Sequence, residues 1–321
     1  MQRIRISEQV PVDLANLRLD QAMAQMFPDY SRARLQQWIK SGQALLDGRV
    51  VRPRDRVLGG EEISINAELE DANPECGAED IPLEIVYEDA SLIVLNKPVG
   101  LVVHPAVGNR AGTLQNALLH HAPELSAVPR AGIVHRLDKD TSGLMVVAKT
   151  LEAHHCLVDA LQAREIRREY EAIVQGVMTA GGTIDAPIGR HPTDRVRMAV
   201  VSGGKPAVTH YRVVQRYRAH TWIRVQLETG RTHQIRVHMA HRRYPIVGDQ
   251  VYGGRLRMPP GCSPELAAML HGFHRQALHA IKLTLLHPES REEMSWEAPL
   301  PADMLTLLQL LQADLESHDP S

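Results

Sequence analysis

The chain has 321 residues, of which 44% are apolar and 4% aromatic, and its formal net charge is −2. That composition excludes a disordered or fibrous chain and suggests roughly two folded domains. The first 25 residues hold no continuous apolar run, and no stretch approaches the roughly 20 apolar residues that span a bilayer, so neither a secretory leader nor a membrane anchor is expected.

Residues 1–60 carry ten Lys/Arg against six Asp/Glu. Within them RLDQAMAQMF places Leu19, Ala22, Met23 and Met26 at helical spacing, and Pro28 ends that helix. Ser31 is a cap for a second helix, RARLQQWIK, with Gly42 as its stop. Leu35, Trp38 and Ile39 form the apolar stripe of this helix, which leaves Arg32, Arg34, Gln37 and Lys40 to point elsewhere. Asp47-Gly48 between ALL and RVV predicts a hairpin turn, and GGEEISINAE predicts a last strand. A small module of two helices and a sheet is expected over residues 1–67.

Residues 61–90 hold no Lys or Arg and eleven Asp/Glu, and the stretch 68–80 contains Pro and Gly as well. It reads as an acidic linker. Residues 91–255 are basic again, with 22 Lys/Arg against 12 Asp/Glu, and 256–321 are acidic, with four against nine. Basic segments of this size bind phosphate chains even when the whole protein is near neutral. For any single arginine, a solvated surface charge accounts for the residue as well.

From residue 81 the strand candidates are LEIVYE, LIVLNK, GLMVVAK, REYEAIVQG, VTHYRVVQRY, TWIRVQLET, ALHAIKLTLL and MSWEAP. The helix candidates are TLQNALLHH, LEAHHCLVDALQA, RTHQIRVHMAH and PADMLTLLQLLQADLE, with Pro301 in the first turn of the last. Strands in series with few crossover helices predict an α+β domain over 81–321, built on a mixed, largely antiparallel sheet. Cys76, Cys156 and Cys262 are far apart and form no CxxC pair, so they read as reduced thiols of a cytoplasmic protein.

The densest chemistry is in Gly132–Thr150, GIVHRLDKDTSGLMVVAKT, where a His, an Arg, a Lys and two Asp fall within His135–Asp140 ahead of an apolar strand. A capped turn explains the same residue types, and the spacing by itself does not choose Asp138 over Asp140. Seventeen histidines raise the question of a metal, but His154-His155, His233…His238 and His274…His279 have neither HExxH nor CxxC spacing, and no metal is expected.

HRLDKDTSGLMVVAKT resembles the catalytic motif of the RluA-type pseudouridine synthases. RREYEAIVQG, GRTHQIRVHMA, GKPAVTHY and YPIVGDQVYGG match further motifs of that family in order, and the segment RLDQ…DYSRARLQQWIKSGQALLDGRVV resembles an S4 RNA-binding domain. The resemblance implies a pseudouridine synthase fold behind an S4-like module. It implies isomerisation of uridine without a cofactor, with 23S ribosomal RNA, its helix 69 in particular, or a large-subunit precursor as partner. It makes Asp138 the catalytic carboxylate, Arg236 its partner and Tyr170 the aromatic beside the base. It also gives Arg136 the part of filling the stack that the uridine leaves, a task that suits a planar guanidinium. Arg231, His135 and His233 are expected to touch RNA. Ser31, Arg32, Arg34, Gln37, Lys40 and Arg49 are expected to contact RNA backbone, which positions the substrate rather than reading its sequence. A monomer is expected. The competing readings are a non-catalytic RNA clamp acting in ribosome assembly and a metal-dependent nucleic-acid hydrolase.

Overall fold

A computed structural model describes residues 2–27, 30, 32–69, 77–105, 109–194 and 197–318. The chain divides into two compact units, residues 1–75 and 76–321.

The first unit contains β1 (Gln2–Gln9), α1 (Leu19–Met26), α2 (Arg32–Ser41), β2 (Ala44–Leu46) and β3 (Glu62–Leu69). The strands form an antiparallel sheet in the order β1-β3-β2. Leu19 and Met23 of α1 meet Leu35, Trp38 and Ile39 of α2 over Ile63 and Ile65 of β3, and these side chains form the core. Both helices arise where the apolar spacing predicts them; Pro28 and Ser31 lie outside the described residues. Strand β1 is an addition to the sequence reading. Its signal is the alternation of Ile4 and Ile6 with Arg3 and Arg5, a period of two.

The Asp47-Gly48 turn forms with both residues at positive φ, 49° and 73°, as the tight mirror-image turn requires. The expected second arm does not continue as a strand. Arg49 pairs once with Leu46 and then leaves. The cause lies in the turns on either side. Asp47 Oδ1 accepts from the Glu62 amide at 2.9 Å and draws β2 to β3, while Asp55 Oδ2 accepts from the Arg52 amide at 2.8 Å and bends the chain around Pro53.

Of the acidic stretch 68–80, residues 70–76 lie outside the described residues. Strand β3 runs to Leu69, and the acidic residues after Cys76 are tied into the second unit. Glu79 accepts from the Gly112 amide at 3.0 Å, and Asn116 Nδ2 donates to the Gly77 carbonyl at 2.6 Å.

The second unit contains β4 (Ile85–Glu88), β5 (Leu92–Lys97), α3 (Leu114–His121), β6 (Ser142–Ala148), α4 (Leu151–Gln162), β7 (Arg167–Gln175), β8 (Gly182–Asp185), β9 (Ile188–Arg190) and β10 (Met198–Val200). It continues with β11 (Val208–Arg216), β12 (His220–Leu227), α5 (Gln234–His241), α6 (Pro264–Gly272), β13 (Leu278–Leu286), β14 (Glu293–Glu297) and α7 (Ala302–Ser317). Nine strands form one sheet in the order β4-β5-β6-β13-β7-β12-β11-β8, with β14 on β13. Every pairing in it is antiparallel except the short one between β6 and β13, so the sheet is mixed and largely antiparallel, as expected.

Strand β6 is central and buried along its whole length. Met145 and Val147 enter the core to which α3, α6 and α7 also contribute, while Leu144, Val146 and Ala148 belong to a second cluster with Ala153 and Leu157 of α4. This double burial explains why GLMVVAK reads as a continuous apolar run rather than an alternating one. Gly143, at φ 116°, lies against the Ala280 backbone of β13, and a Cβ there would overlap the Ala280 carbonyl. Ser263 caps α6 and Pro264 opens it, a start signal that the sequence reading passed over. Pro301 is the residue before the first turn of α7 rather than inside it. Strands β8, β9 and β10, of three or four residues each, were too short to show a period. Among the described residues no helix is long and apolar enough to cross a membrane. Cys156 and Cys262 are free thiols, and Cys76 is outside the described residues.

Candidate active site

The loop between a 3-10 turn at Pro129–Gly132 and the start of β6 carries His135 to Asp140. Lys97, at the end of β5, is fully buried, and its Nζ donates to the carbonyls of Pro98 at 2.7 Å, Leu101 at 3.1 Å and Lys139 at 3.0 Å. Burial lowers its pKa to about 8, while the charges of Asp140 and Asp138 pull the other way. From the far side Gln276 Nε2 donates to Thr141 Oγ1 at 2.9 Å, and the Thr141 amide donates to the Asp138 carbonyl at 3.1 Å. The turn chemistry that the sequence allows is therefore present, and it serves to fix one carboxylate. Asp138 lines a cavity of about 820 Å³ and Asp140 does not. A cavity of that size holds a nucleotide.

Arg236 reaches the same carboxylate from α5. Its Nη1 donates to Asp138 Oδ2 at 2.9 Å, and its Nε and Nη2 donate to the two oxygens of Asp249 at 2.7 and 3.0 Å. Asp249 is in turn held by the amides of Val251 and Tyr252, each 2.9 Å from its Oδ1. Burial would raise the Asp249 pKa, but the hydrogen bonds and charge of Arg236 outweigh it and hold the carboxyl below its usual range. Burial opposes the charge on Arg236, and the two carboxylates more than compensate, so its pKa rises. The Tyr252 ring lies under the guanidinium with 5.1 Å to its centroid. Helix α5 starts at Gln234, later than the sequence pattern suggests, because His233 takes a left-handed conformation at φ 56°. Gln234 then accepts from Thr229 Oγ1 at 2.8 Å and the Arg231 amide at 3.0 Å, fixing the entry of the helix.

Tyr170 stands on β7 between β12 and β13, lines the cavity and is only 5% exposed. Burial raises its pKa, with Arg168 opposing and Asp138 adding to the rise, so the phenol is held protonated. His233 Nδ1 lies 2.9 Å from Tyr252 Oη, and its Nε2 lies 3.8 Å from Asp138 Oδ1. Burial lowers the His233 pKa despite the nearby carboxylates. Asp138, Tyr170, Arg236, Arg136, His135, Arg231 and His233 thus all line one cavity. Arg136 is exposed and forms neither an ion pair nor a hydrogen bond with the described residues, so the turn does not consume it.

Two placements differ from expectation. His135 Nε2 accepts from the Val146 amide at 3.1 Å, and burial drives its pKa down to about 3. The neutral ring braces the loop against β6: Nε2 is spent on that bond and Nδ1 is enclosed without a partner, so neither nitrogen faces an open surface. Arg32 is bound through Nε and Nη2 to Asp20 Oδ2, at 3.0 and 2.6 Å, and Arg18 holds the same carboxylate. Burial would raise the Asp20 pKa, but its hydrogen bonds with Arg32 and Gln36 lower it. Arg32 therefore has a part in the fold, because Asp20 is fully buried and cannot stay ionised without cations, while the Arg32 side chain remains 45% exposed. Gln37, Lys40 and Arg49 remain exposed; Arg34 is partly buried with a partner of its own, and Ser31 lies outside the described residues.

The sequence reading gave no role to Lys97, Arg130, Arg168, Asp249 or Tyr252. The last two stand in YPIVGDQVYGG, a segment whose match to the family motif carries no role for either residue. Among the described residues no three His, Cys, Asp or Glu side chains group as a metal site, and His238 is spent on Thr209 Oγ1 at 2.8 Å and the Ala186 carbonyl at 2.9 Å. The cavity lining holds six arginines against two carboxylates, Asp138 and Glu228, a balance that suits a polyanion.

Over 98% of its length the chain is 61% identical to ribosomal large subunit pseudouridine synthase D of Pseudomonas aeruginosa, covering 98% of that protein. The chain belongs to the RNA pseudouridylate synthase family. Residues 91–241 match the family itself, and residues 17–63 match the S4 domain. The Escherichia coli K12 synthase D is 57% identical over 99% of this chain and 97% of its own. Among solved structures, human RNA pseudouridylate synthase domain containing 4 superposes with a TM-score of 0.56 at 29% identity, covering 71% of this chain and 93% of that one. The synthase family and the S4 module expected from HRLDKDTSG and from the N-terminal pattern are the ones found.

Proposed function

We propose that this synthase isomerises uridine to pseudouridine in the 23S ribosomal RNA of the large subunit, with helix 69 as its target and Asp138 as the reacting carboxylate. The substrate class rests on the synthase D relatives, each named for the large ribosomal subunit. The residue assignment rests on one observation: Arg236 bridges Asp138 and Asp249 beside Tyr170 in a single basic cavity.

The reaction breaks the N1–C1′ bond, turns the base and joins C5 to C1′. The C5 proton is released and N1 gains one, so the product is an isomer and no redox partner is required. Asp138 must be ionised to act on the sugar or the ring, and the bidentate demand of Asp249 on Arg236 keeps the guanidinium aimed at Asp138. Tyr170 offers a flat face to the extracted uracil, and its protonated phenol offers a hydrogen bond. Arg136, free at the cavity wall, is placed to occupy the gap left in the RNA stack. The exposed Gln37, Lys40 and Arg49 of the S4 unit add contacts to RNA backbone.

The test is tritium release from 5-labelled uridine in 23S RNA, with pseudouridines mapped in cells with and without the protein. Turnover by the wild type and none by Asp138→Asn supports the reading. Persistent turnover by the variant refutes the site, and no turnover by the wild type would favour a non-catalytic RNA clamp.

A further inference from the structure

Three arginines are buried among the described residues, and they differ in one respect. Arg236 is shared by two carboxylates, and Arg275 donates to both oxygens of Asp303 at 2.6 and 2.7 Å. Arg168, 8% exposed, has no carboxylate within ion-pairing distance and no hydrogen-bond acceptor on any nitrogen among the described residues, and its Nε is wholly enclosed without a partner. It stands on β7 two residues before Tyr170, so both side chains leave the same face of the sheet, and both line the cavity that Asp138 lines.

A buried guanidinium with no counter-charge is expensive, and folded proteins keep such a group where a ligand supplies the missing charge. Uracil is neutral. The anion that RNA brings is its phosphodiester, and a planar guanidinium binds phosphate oxygens in pairs. Space for the group is kept by Gly230: a Cβ there would stand 3.1 Å from Arg168 Nη1.

We propose that Arg168 is the buried anchor for a phosphodiester next to the uridine that Asp138 attacks. The inference rests on the cavity being the RNA site and adds to it which part of the nucleotide the rear wall holds. The anchor sets how deep the nucleotide enters, and hence whether C1′ reaches Asp138.

The test uses the full-length protein. Arg168→Met removes the charge and Arg168→Lys keeps it. A buried unpaired charge destabilises the free protein, so the thermal midpoint of Arg168→Met without RNA is expected to be equal to or above that of the wild type. Its kcat/KM on 23S RNA is expected to fall about tenfold to a hundredfold, the usual loss for a charge-assisted contact, with Arg168→Lys retaining most of the activity. A neutral methylphosphonate is then placed at each linkage flanking a uridine that the wild type converts. At one linkage it should cost the wild type a similar factor and Arg168→Met little more. Three outcomes overturn the proposal: unchanged turnover by Arg168→Met, a lowered midpoint without RNA, or an equal methylphosphonate penalty in both proteins at every flanking linkage. Failure of the wild type on unmodified RNA overturns the functional reading instead.

Discussion

Asp249 accepts two hydrogen bonds from Arg236, at 2.7 and 3.0 Å, and has no exposed side-chain surface. The pair fixes the direction in which the remaining Nη1 of Arg236 points, which is at Asp138.

Asp249→Asn should therefore injure both fold and turnover. Removing one of the two carboxylates leaves Arg236 with Asp138 alone, which is partly exposed, and takes two charge-assisted hydrogen bonds out of the interior, so the loss of stability is expected at about 1–3 kcal/mol. In protein that still folds, kcat should fall more than KM rises, because Arg236 loses its aim at Asp138 while the other arginines of the cavity are untouched. Urea unfolding and tritium release measure the two effects. A stable variant with normal kcat contradicts the positioning role.

Asp138→Asn is nearly isosteric and should fold as the wild type does, since the carboxylate is partly solvent-exposed and Arg236 keeps Asp249. RNA affinity should change little, while turnover drops below detection. Filter binding beside single-turnover kinetics separates the two, and parallel loss of both would point to a structural role.

Stability should fall as the solution is acidified below neutrality. Burial holds the pKa of His135 at about 3 and those of His220 and His279 at about 4, against about 6.5 in the unfolded chain. Each of these folded values is depressed, so the stabilising contribution is complete above pH ~6.5 and is lost as the pH falls toward the folded values. Between them each histidine contributes a slope of about 1.4 kcal/mol per pH unit. The urea midpoint measured from pH 7 to pH 4.5 tests this, and a flat profile contradicts it.

In the S4 unit Lys40 and Arg49, which form no ion pair with the described residues, should behave differently from the paired Arg32. Replacing Lys40 and Arg49 by Gln should leave the thermal midpoint unchanged and lower the salt dependence of RNA binding by about two, roughly one per phosphate contact. Arg32→Gln should instead lower stability, because Asp20 is fully buried and loses a cation. If Arg32→Gln is neutral for stability and costs RNA affinity alone, the assignment of Arg32 to the fold is wrong.

Gly143→Ala should be severe. The residue has φ 116° and abuts the Ala280 backbone, so an added methyl must separate β6 from β13 and displace the loop before it. Insoluble or acid-labile protein is the expected result, and a fully active variant is the contrary one.

Much of this protein is determined by local pattern. The apolar stripes of α1 and α2, the fully apolar run of β6 and the Asp47-Gly48 turn depend on residues close in sequence, and all are legible there. The crowding of His135 to Asp140 marks the proposed reacting loop for the same reason. What only the tertiary structure decided concerns residues far apart. The turn offers two aspartates, and it is Asp138 that meets an arginine 98 positions away. Arg32, expected at RNA, is also bound by Asp20, which helical spacing alone marks as just another polar residue. Asp249 stands in a loop without a period, and the strand periods of Lys97 and Arg168 do not reveal that their charges are buried, because burial is created when distant segments close over them. Local sequence carries backbone preference and apolar pattern; the pairing of charges inside a low-dielectric core is a property of the assembled fold.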